Sequence, residues 1–361
     1  MSAAWDEACE GLPYAHGRPG LALVGALLPL AVVRNAPLDH VLESLIAGYE
    51  VGGRAGGWMR IRPGMHVDGN WPAFGVAAGV AHLLGLSEAQ RWTALALVAC
   101  QLPTSLYLPI RTGDNGRNTY LSHCAALGTL AAFSAGAGIT APDKALLDYA
   151  RDYAVTDGAP APAIDRSLIL EAYFKPHAGV RHAHYGLEAA MQIRERLGHT
   201  STGITDIHLR IYEEGATYAG NRDPQAPITG QFSLSLGVAA GLRYGGMSPS
   251  LFQPDHFQDP ELRRLEQRVQ IEPDPLLGAG GARAAVLTVV AAGRSYEARV
   301  DRLDGDAANP LSQARLIEKF QQYAEPCVAR DASYRFATAL LEPSGAAGFA
   351  TLWSSLTGPP H

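Results

Sequence analysis

The spacing of hydrophobic positions changes part-way along the chain. Residues 19–141 carry Ala, Leu, Gly and Val at helical intervals. That spacing predicts a helix over 38–53, with Asp39 near its start, and another over 72–84, where Ala73, Gly75, Ala77, Ala78 and Gly79 keep one side small. Ser87 has N-cap chemistry and opens a third helix, through Trp92, Leu95 and Val98 toward Leu102, and residues 118–136 form a fourth. Most of these segments lack a charged stripe, so they are expected to be buried on more than one side, in a compact all-α domain.

A helix over 183–197 ends this regime, and the period then shortens to two. Residues 204–212 alternate as a half-buried strand does; 268–272, 283–291 and 295–301 are also strand-like. The last two are joined across Ala292, Gly293 and Arg294, which predicts a hairpin. Helical spacing returns at 231–242 and 309–323, and the Pro/Gly-rich run 157–163 reads as a connector. The expected class is α+β: an all-α helical domain over 1–171, rejoined by 306–361, and a smaller α+β lid domain over 172–305.

Composition narrows this picture. A chain of 361 residues with 47% apolar content fits an ordinary globular protein with two cores. The net charge of -6 and the lack of a basic run argue against a nucleic-acid partner. Cys9, Cys100, Cys124 and Cys327 are scattered without metal-ligand spacing, so reduced thiols are expected. The apolar run 21–33 is interrupted by Gly25 and Pro29 and is too short to span a bilayer. No signal-peptide pattern opens the chain, so a cytoplasmic location without a membrane partner is the expectation.

Candidate chemistry centres on residues 174–184. The sequence has three lysines, and one of them, Lys175, lies close to His177, Arg181, His182 and His184. Lys175 and Arg181 suit the clamping of carboxylates, and His182 or His184 the movement of a proton near neutral pH. The histidine spacing fits no familiar ligand motif, so no metal is expected. His66 stands in a Gly-rich turn before a helix, where an anion is readily met, although a lone histidine is more often structural. His16 precedes another helix, with Asp6 upstream as a carboxylate able to fix its tautomer if the fold joins them. Arg117 lies in a third such turn. No P-loop, nucleophile elbow or dinucleotide fingerprint is present, and 278–281 reads as a loop.

Six pieces in order resemble the MmgE/PrpD family of dehydratases, decarboxylases and epimerases. They are an "HPG"-like turn and helix from His16 on; Ala47-Gly48-Tyr49-Glu50-Val51 with Arg54; the His66 turn before a Phe-Gly-small helix; a K-P-x-x-x-x-R-H-x-H segment from Lys175; Phe232-Ser233-Leu234; and Gly305-Asp306 with Asn309-Pro310-Leu311-Ser312 and Lys319-Phe320. The resemblance implies a helical domain with an α+β lid, a homodimer, and a cleft site needing neither metal nor organic cofactor. It implies a small carboxylate substrate, with two or three carboxylates, that loses a proton next to one of them. His16, His66, Lys175 and His182 would then be catalytic, with Asp6, Arg117, Arg181 and His184 holding the substrate. The chain departs from the pattern in several places. Gly17 and Arg18 separate His16 from Pro19-Gly20, Glu10 stands where a hydroxyl is expected, Arg117 replaces a lysine, and Leu236 replaces an aromatic hydroxyl. The turn also comes early, which suggests a shortened N-terminal helical part. The expected function is a cofactor-independent lyase of dehydratase or decarboxylase type. The alternatives are an epimerase or isomerase, a specialised-metabolite dehydratase or cyclase of the same fold, and a non-catalytic dimeric relative.

Overall fold

Small residues set how the first helices meet. In the computed structural model, which describes residues 5–153, 163, 165–325, 327–341 and 348–357, a short strand β1 (Glu10–Gly11) leads into α1 (Pro19–Arg34) and α2 (Leu38–Trp58). Strand β2 (Met65–His66) and α3 (Pro72–Leu83) follow, then α4 (Glu88–Ala99), β3 (Ser105–Leu106), α5 (Leu108–Thr112), α6 (Tyr120–Gly136) and α7 (Ala145–Tyr153). A Cβ on Gly48 would meet the Gly75 carbonyl at 2.6 Å, and one on Gly75 would meet the Gly48 carbonyl at 2.7 Å. Helices α2 and α3 therefore cross backbone against backbone.

Several boundaries differ from the sequence expectation for local reasons. Helix α1 continues through Pro29 because that ring faces solvent, while Leu23, Ala26, Leu27 and Ala31 stay buried on the opposite side. Packing outweighs the lost hydrogen bond. Helix α4 has the expected cap, with the Ser87 amide donating to Gln90 Oε1 at 3.0 Å, but it stops at Ala99. Helix α6 begins at Tyr120, after a 3-10 turn over Asn115–Thr119. The connector read at 157–163 lies outside the described residues, apart from Ala163.

After β4 (Tyr173–Phe174), helix α8 (Arg181–Arg196) leads to β5 (Ile204–Ile211), α9 (Glu213–Ala219), α10 (Pro227–Gly230) and α11 (Leu234–Tyr244). Then come α12 (Pro254–Phe257), α13 (Pro260–Arg268), β6 (Val269–Pro273), β7 (Ala285–Ala291) and β8 (Arg294–Val300). The sheet order is β6-β5-β7-β8, with β5 and β6 parallel and the other pairs antiparallel. Ile207, Leu209 and Ile211 point into the core, while His208 and Arg210 between them are partly exposed, as period-two alternation requires. The β7–β8 turn puts Ala292 and Gly293 at positive φ, 49° and 74°. Helix α11 starts at Leu234, with Ser233 accepting the Leu236 amide. Helix α13, mostly charged, was not expected; Leu262 and Leu265 are its buried contacts.

Helices α14 (Gln313–Ala324), α15 (Arg330–Leu341) and α16 (Phe349–Thr357) end the described chain. One apolar core gathers residues from Leu12 to Ala172 together with Phe336 and Phe349, and a second gathers residues from Ala178 to Leu303. No helix among the described residues is long and apolar enough to cross a membrane.

Candidate active site

Three imidazoles meet in a cavity of about 800 Å³ whose walls come from both cores. His16, Met59, His66, Trp71 and Tyr107 belong to the helical side, and His182, Glu214, Tyr218 and Phe232 to the other. His66 ends β2, which pairs with β3, so its ring stacks on Tyr107 with centroids 5.7 Å apart. Asn70 fixes the following turn by donating to the Tyr149 hydroxyl at 2.8 Å and the Pro103 carbonyl at 2.6 Å. The Asp68 amide donates to His66 Nδ1 at 3.1 Å. A neutral ring whose Nδ1 accepts carries its proton on Nε2. Burial, with Arg18 nearby, pushes the His66 pKa down to about 3, so the ring stays neutral and serves as a donor.

His182 lies in the first turn of α8, with Nδ1 2.5 Å from the Tyr212 hydroxyl and its ring stacked on Tyr218. Burial pushes its pKa down to about 4. His16 differs from both. It is exposed, its φ is 50°, and its ring makes no hydrogen bond among the described residues. Partial desolvation and Arg60 hold its pKa below the ordinary histidine value, so at neutral pH it offers a free lone pair. His16 also lines a second cavity of about 660 Å³, with Arg181, Tyr212, Arg283 and Asp306. Arg60 lines the three-histidine cavity, and its side chain has no ion-pair partner among the described residues. Arg62 and Arg111 line the same cavity.

Behind His66 and Phe232 lies a sealed cluster of charge. An N-terminal strap crosses the junction of the two cores. The Trp5 carbonyl accepts from Gln231 at 2.6 Å, the Asp6 carbonyl from the Gly179 amide at 3.0 Å, and the Ala8 carbonyl from Lys319 at 2.5 Å. Pairing of β1 with β4, and the Lys175 amide on the Cys9 carbonyl, bring Lys175 alongside. Glu7, on this strap, is 3% exposed. Its carboxylate accepts from Lys175 Nζ at 2.9 Å and from Arg18 Nη1 at 2.7 Å, and pairs with Arg117. Arg18 also pairs with Asp68, and Arg117 lies 3.4 Å from the same carboxylate. Desolvation pushes the Lys175 pKa down, and the Glu7 carboxylate 2.9 Å away favours the charged form against it.

The expected site residues therefore separate into groups. His16, His66 and His182 share one cavity. Lys175 and Arg117, read as substrate clamps, are 2% exposed and clamp Glu7 instead. Arg181 pairs with Asp306, lies over the Tyr173 ring, and lines the second cavity. His184 is fully buried in the second core and meets the Ala178 carbonyl at 3.1 Å, so it contributes packing rather than a cavity contact. Asp6 uses its backbone carbonyl in the strap, and it is Glu7 whose carboxylate enters the cluster. Sequence reasoning missed Glu7, Arg18, Arg60 and Asp68. Arg60 follows the end of α2, with no acidic residue beside it in the sequence to mark it. Among the described residues no group of three or more His, Cys, Asp or Glu side chains is arranged to hold a metal ion.

Comparison with known proteins places the chain in a family. The MmgE/PrpD N-terminal domain matches residues 12–161, and the MmgE/PrpD C-terminal domain matches residues 177–341. The chain belongs to the MmgE/PrpD family. A cis-aconitate decarboxylase from Mus musculus is 24% identical over 335 residues, which is 85% of this chain and 67% of that protein. Membership of the MmgE/PrpD family, together with this distant relative, supports dehydratase- or decarboxylase-type lyase chemistry at the level of the family.

Proposed function

We propose that the protein is a lyase that removes a proton next to the carboxylate of an organic acid bound in the three-histidine cavity. The observation that carries this reading is the meeting of His16, His66 and His182 in one space beside Arg60, whose side chain has no ion-pair partner among the described residues. Arg60 binds the carboxylate, and its fixed fork suits two parallel hydrogen bonds. His16, neutral and without a hydrogen-bond partner, takes the proton. His66 donates from Nε2 to the oxygen on which negative charge develops, a role a neutral imidazole fills without losing its own proton. His182, held by Tyr212, sits on the facing wall and is placed to serve the departing group.

The test is exchange of substrate protons for deuterium, followed by NMR and product mass, across a panel of small organic acids. Wild-type protein is expected to exchange the proton next to the carboxylate of at least one acid, and His16→Ala to stop exchange while its circular dichroism is unchanged. Full exchange by His16→Ala, or none by the wild type across the panel, would sink the reading. The product mass separates water loss, carbon dioxide loss and return of the proton without loss.

A further inference from the structure

Three cations, Arg18, Arg117 and Lys175, converge on one point behind the cavity wall, and a carboxylate already sits there. It belongs to the chain. Glu7 Oε1 takes Arg18 and Arg117, while Oε2 and the backbone carbonyl take Lys175, at 2.9 and 2.7 Å. The Glu7 backbone is at φ 53°, a region that side chains other than glycine, asparagine and aspartate seldom occupy, so the strap holds the residue in this pose. Hydrogen bonds from Gln231, Gly179 and Lys319 fix the strap on either side. The cluster borders the cavity directly: Asp68 shares its turn with His66, and the Arg117 guanidinium lies over Phe232, 5.7 Å from the ring centroid. With Glu7 in place, these cations are spent on an internal partner. The cationic side chains left to an incoming acid in the cavity are Arg60, Arg62 and Arg111, and its remaining walls are largely aromatic and aliphatic.

We propose that Glu7 is a specificity-determining residue, a tethered carboxylate that fills the three-cation locus and closes it to the carboxylates of an incoming acid, which are left to Arg60, Arg62 and Arg111. The inference rests on the reading of the cavity as the catalytic site. Its test reads stability and binding, so it stands or falls separately from turnover.

Thermal unfolding is measured for wild type, Glu7→Ala and Glu7→Gln in chloride, with formate or acetate at matched ionic strength, and with acetamide as the neutral control. Both variants are expected to lose about 10 °C in Tm, because buried Lys175 loses its carboxylate while Arg18 and Arg117 are left to share Asp68. Formate or acetate should restore about half of the loss to Glu7→Ala by entering the vacated space, and leave wild type unmoved. If Glu7→Ala folds only when refolded with formate or acetate, that result also supports the proposal. A Glu7→Gln protein as stable as wild type would overturn it, as would a Glu7→Ala protein that acetate and acetamide affect alike.

Discussion

Protonating His66 should cost the fold a definite amount, and pH is the cleanest perturbation for measuring it. The ring is 8% exposed, its Nδ1 is occupied by the Asp68 amide, and its pKa is pushed down to about 3 by burial and by Arg18. Asp68 lies 3.7 Å from Nδ1, but its carboxylate is already engaged by Arg18, so it does little to favour the charged ring. In the unfolded chain the same imidazole titrates near 6.5. Between these values the unfolded state binds the extra proton, so stability is fully present above about pH 6.5 and falls as the pH drops toward 3. The contribution is about 2 kcal/mol lost by pH 5 and about 4 kcal/mol by pH 3, at 1.36 kcal/mol per unit. Other groups also titrate, so the diagnostic quantity is a difference. Urea unfolding at pH 7.5 and pH 5 should show His66→Gln to be less acid-sensitive than wild type by about 2 kcal/mol, whatever its stability at pH 7.5. Equal acid sensitivity of the two proteins, or an NMR titration of the His66 ring with a midpoint near 6.5, would refute the tautomer and donor role argued for it.

Three further outcomes follow from the geometry. Arg60→Ala should raise KM by about 10- to 100-fold with kcat little changed, the loss of a charged hydrogen-bonded contact worth about 2 kcal/mol; an unchanged KM would remove Arg60 from the site. His184→Phe should leave kcat/KM within about threefold of wild type while lowering stability by about 1–3 kcal/mol, since the Ala178 carbonyl loses its partner; loss of activity at wild-type stability would return His184 to the catalytic group. Gly48→Val should destabilise by more than about 3 kcal/mol in urea unfolding, because the new side chain meets the Gly75 carbonyl and backbone cannot yield as a side chain does. An unchanged midpoint would show that α2 and α3 are not in backbone contact.

What the sequence made legible was whatever depends on near neighbours. The alternation at Ile207, Leu209 and Ile211 marked a strand, Ser87 marked a helix start, and the small residues around Gly75 marked a close helix crossing. Pro29 is tolerated inside α1 because its ring lies on the exposed side of the helix, and which side is exposed is decided by partners far along the chain. Helix α13 was hidden because Leu262 and Leu265 suffice to bury it among charged neighbours. The site divided in the same way. His16, His66 and His182 stood out because each lies in a turn or first helical turn with unusual local chemistry. The partner of Lys175 lies 168 positions away, so its apparent freedom in sequence was a property of the chain's order and not of its fold. The clusters of basic groups that look available in one dimension are the ones a folded chain is most compelled to neutralise.

That compulsion also explains the altered turn before α1. In the HPG-like pattern the residue directly before Pro-Gly is a histidine, and here it is Arg18, which occupies the N-cap of the helix. A permanent cation at a helix N-terminus faces the positive end of the helix dipole, so it is unfavourable unless carboxylates surround it. Glu7 and Asp68 supply them, and Glu10 accepts the Gly20 amide that the cap leaves open, at 2.9 Å. An imidazole at this buried position would titrate and could exchange a proton; a guanidinium cannot, so the interior of the cleft is fixed in charge. His16, two residues upstream, has a left-handed backbone and lines both cavities. Arg18 and Glu7 pair directly, with Asp68 as a second partner of Arg18 and with Lys175 and Arg117 as further partners of Glu7. Their coupling is directly measurable: in a double-mutant cycle, Arg18→Met and Glu7→Gln together should be less destabilising than the sum of the two alone by about 2 kcal/mol or more, and simple additivity would show that the two residues do not act as a pair.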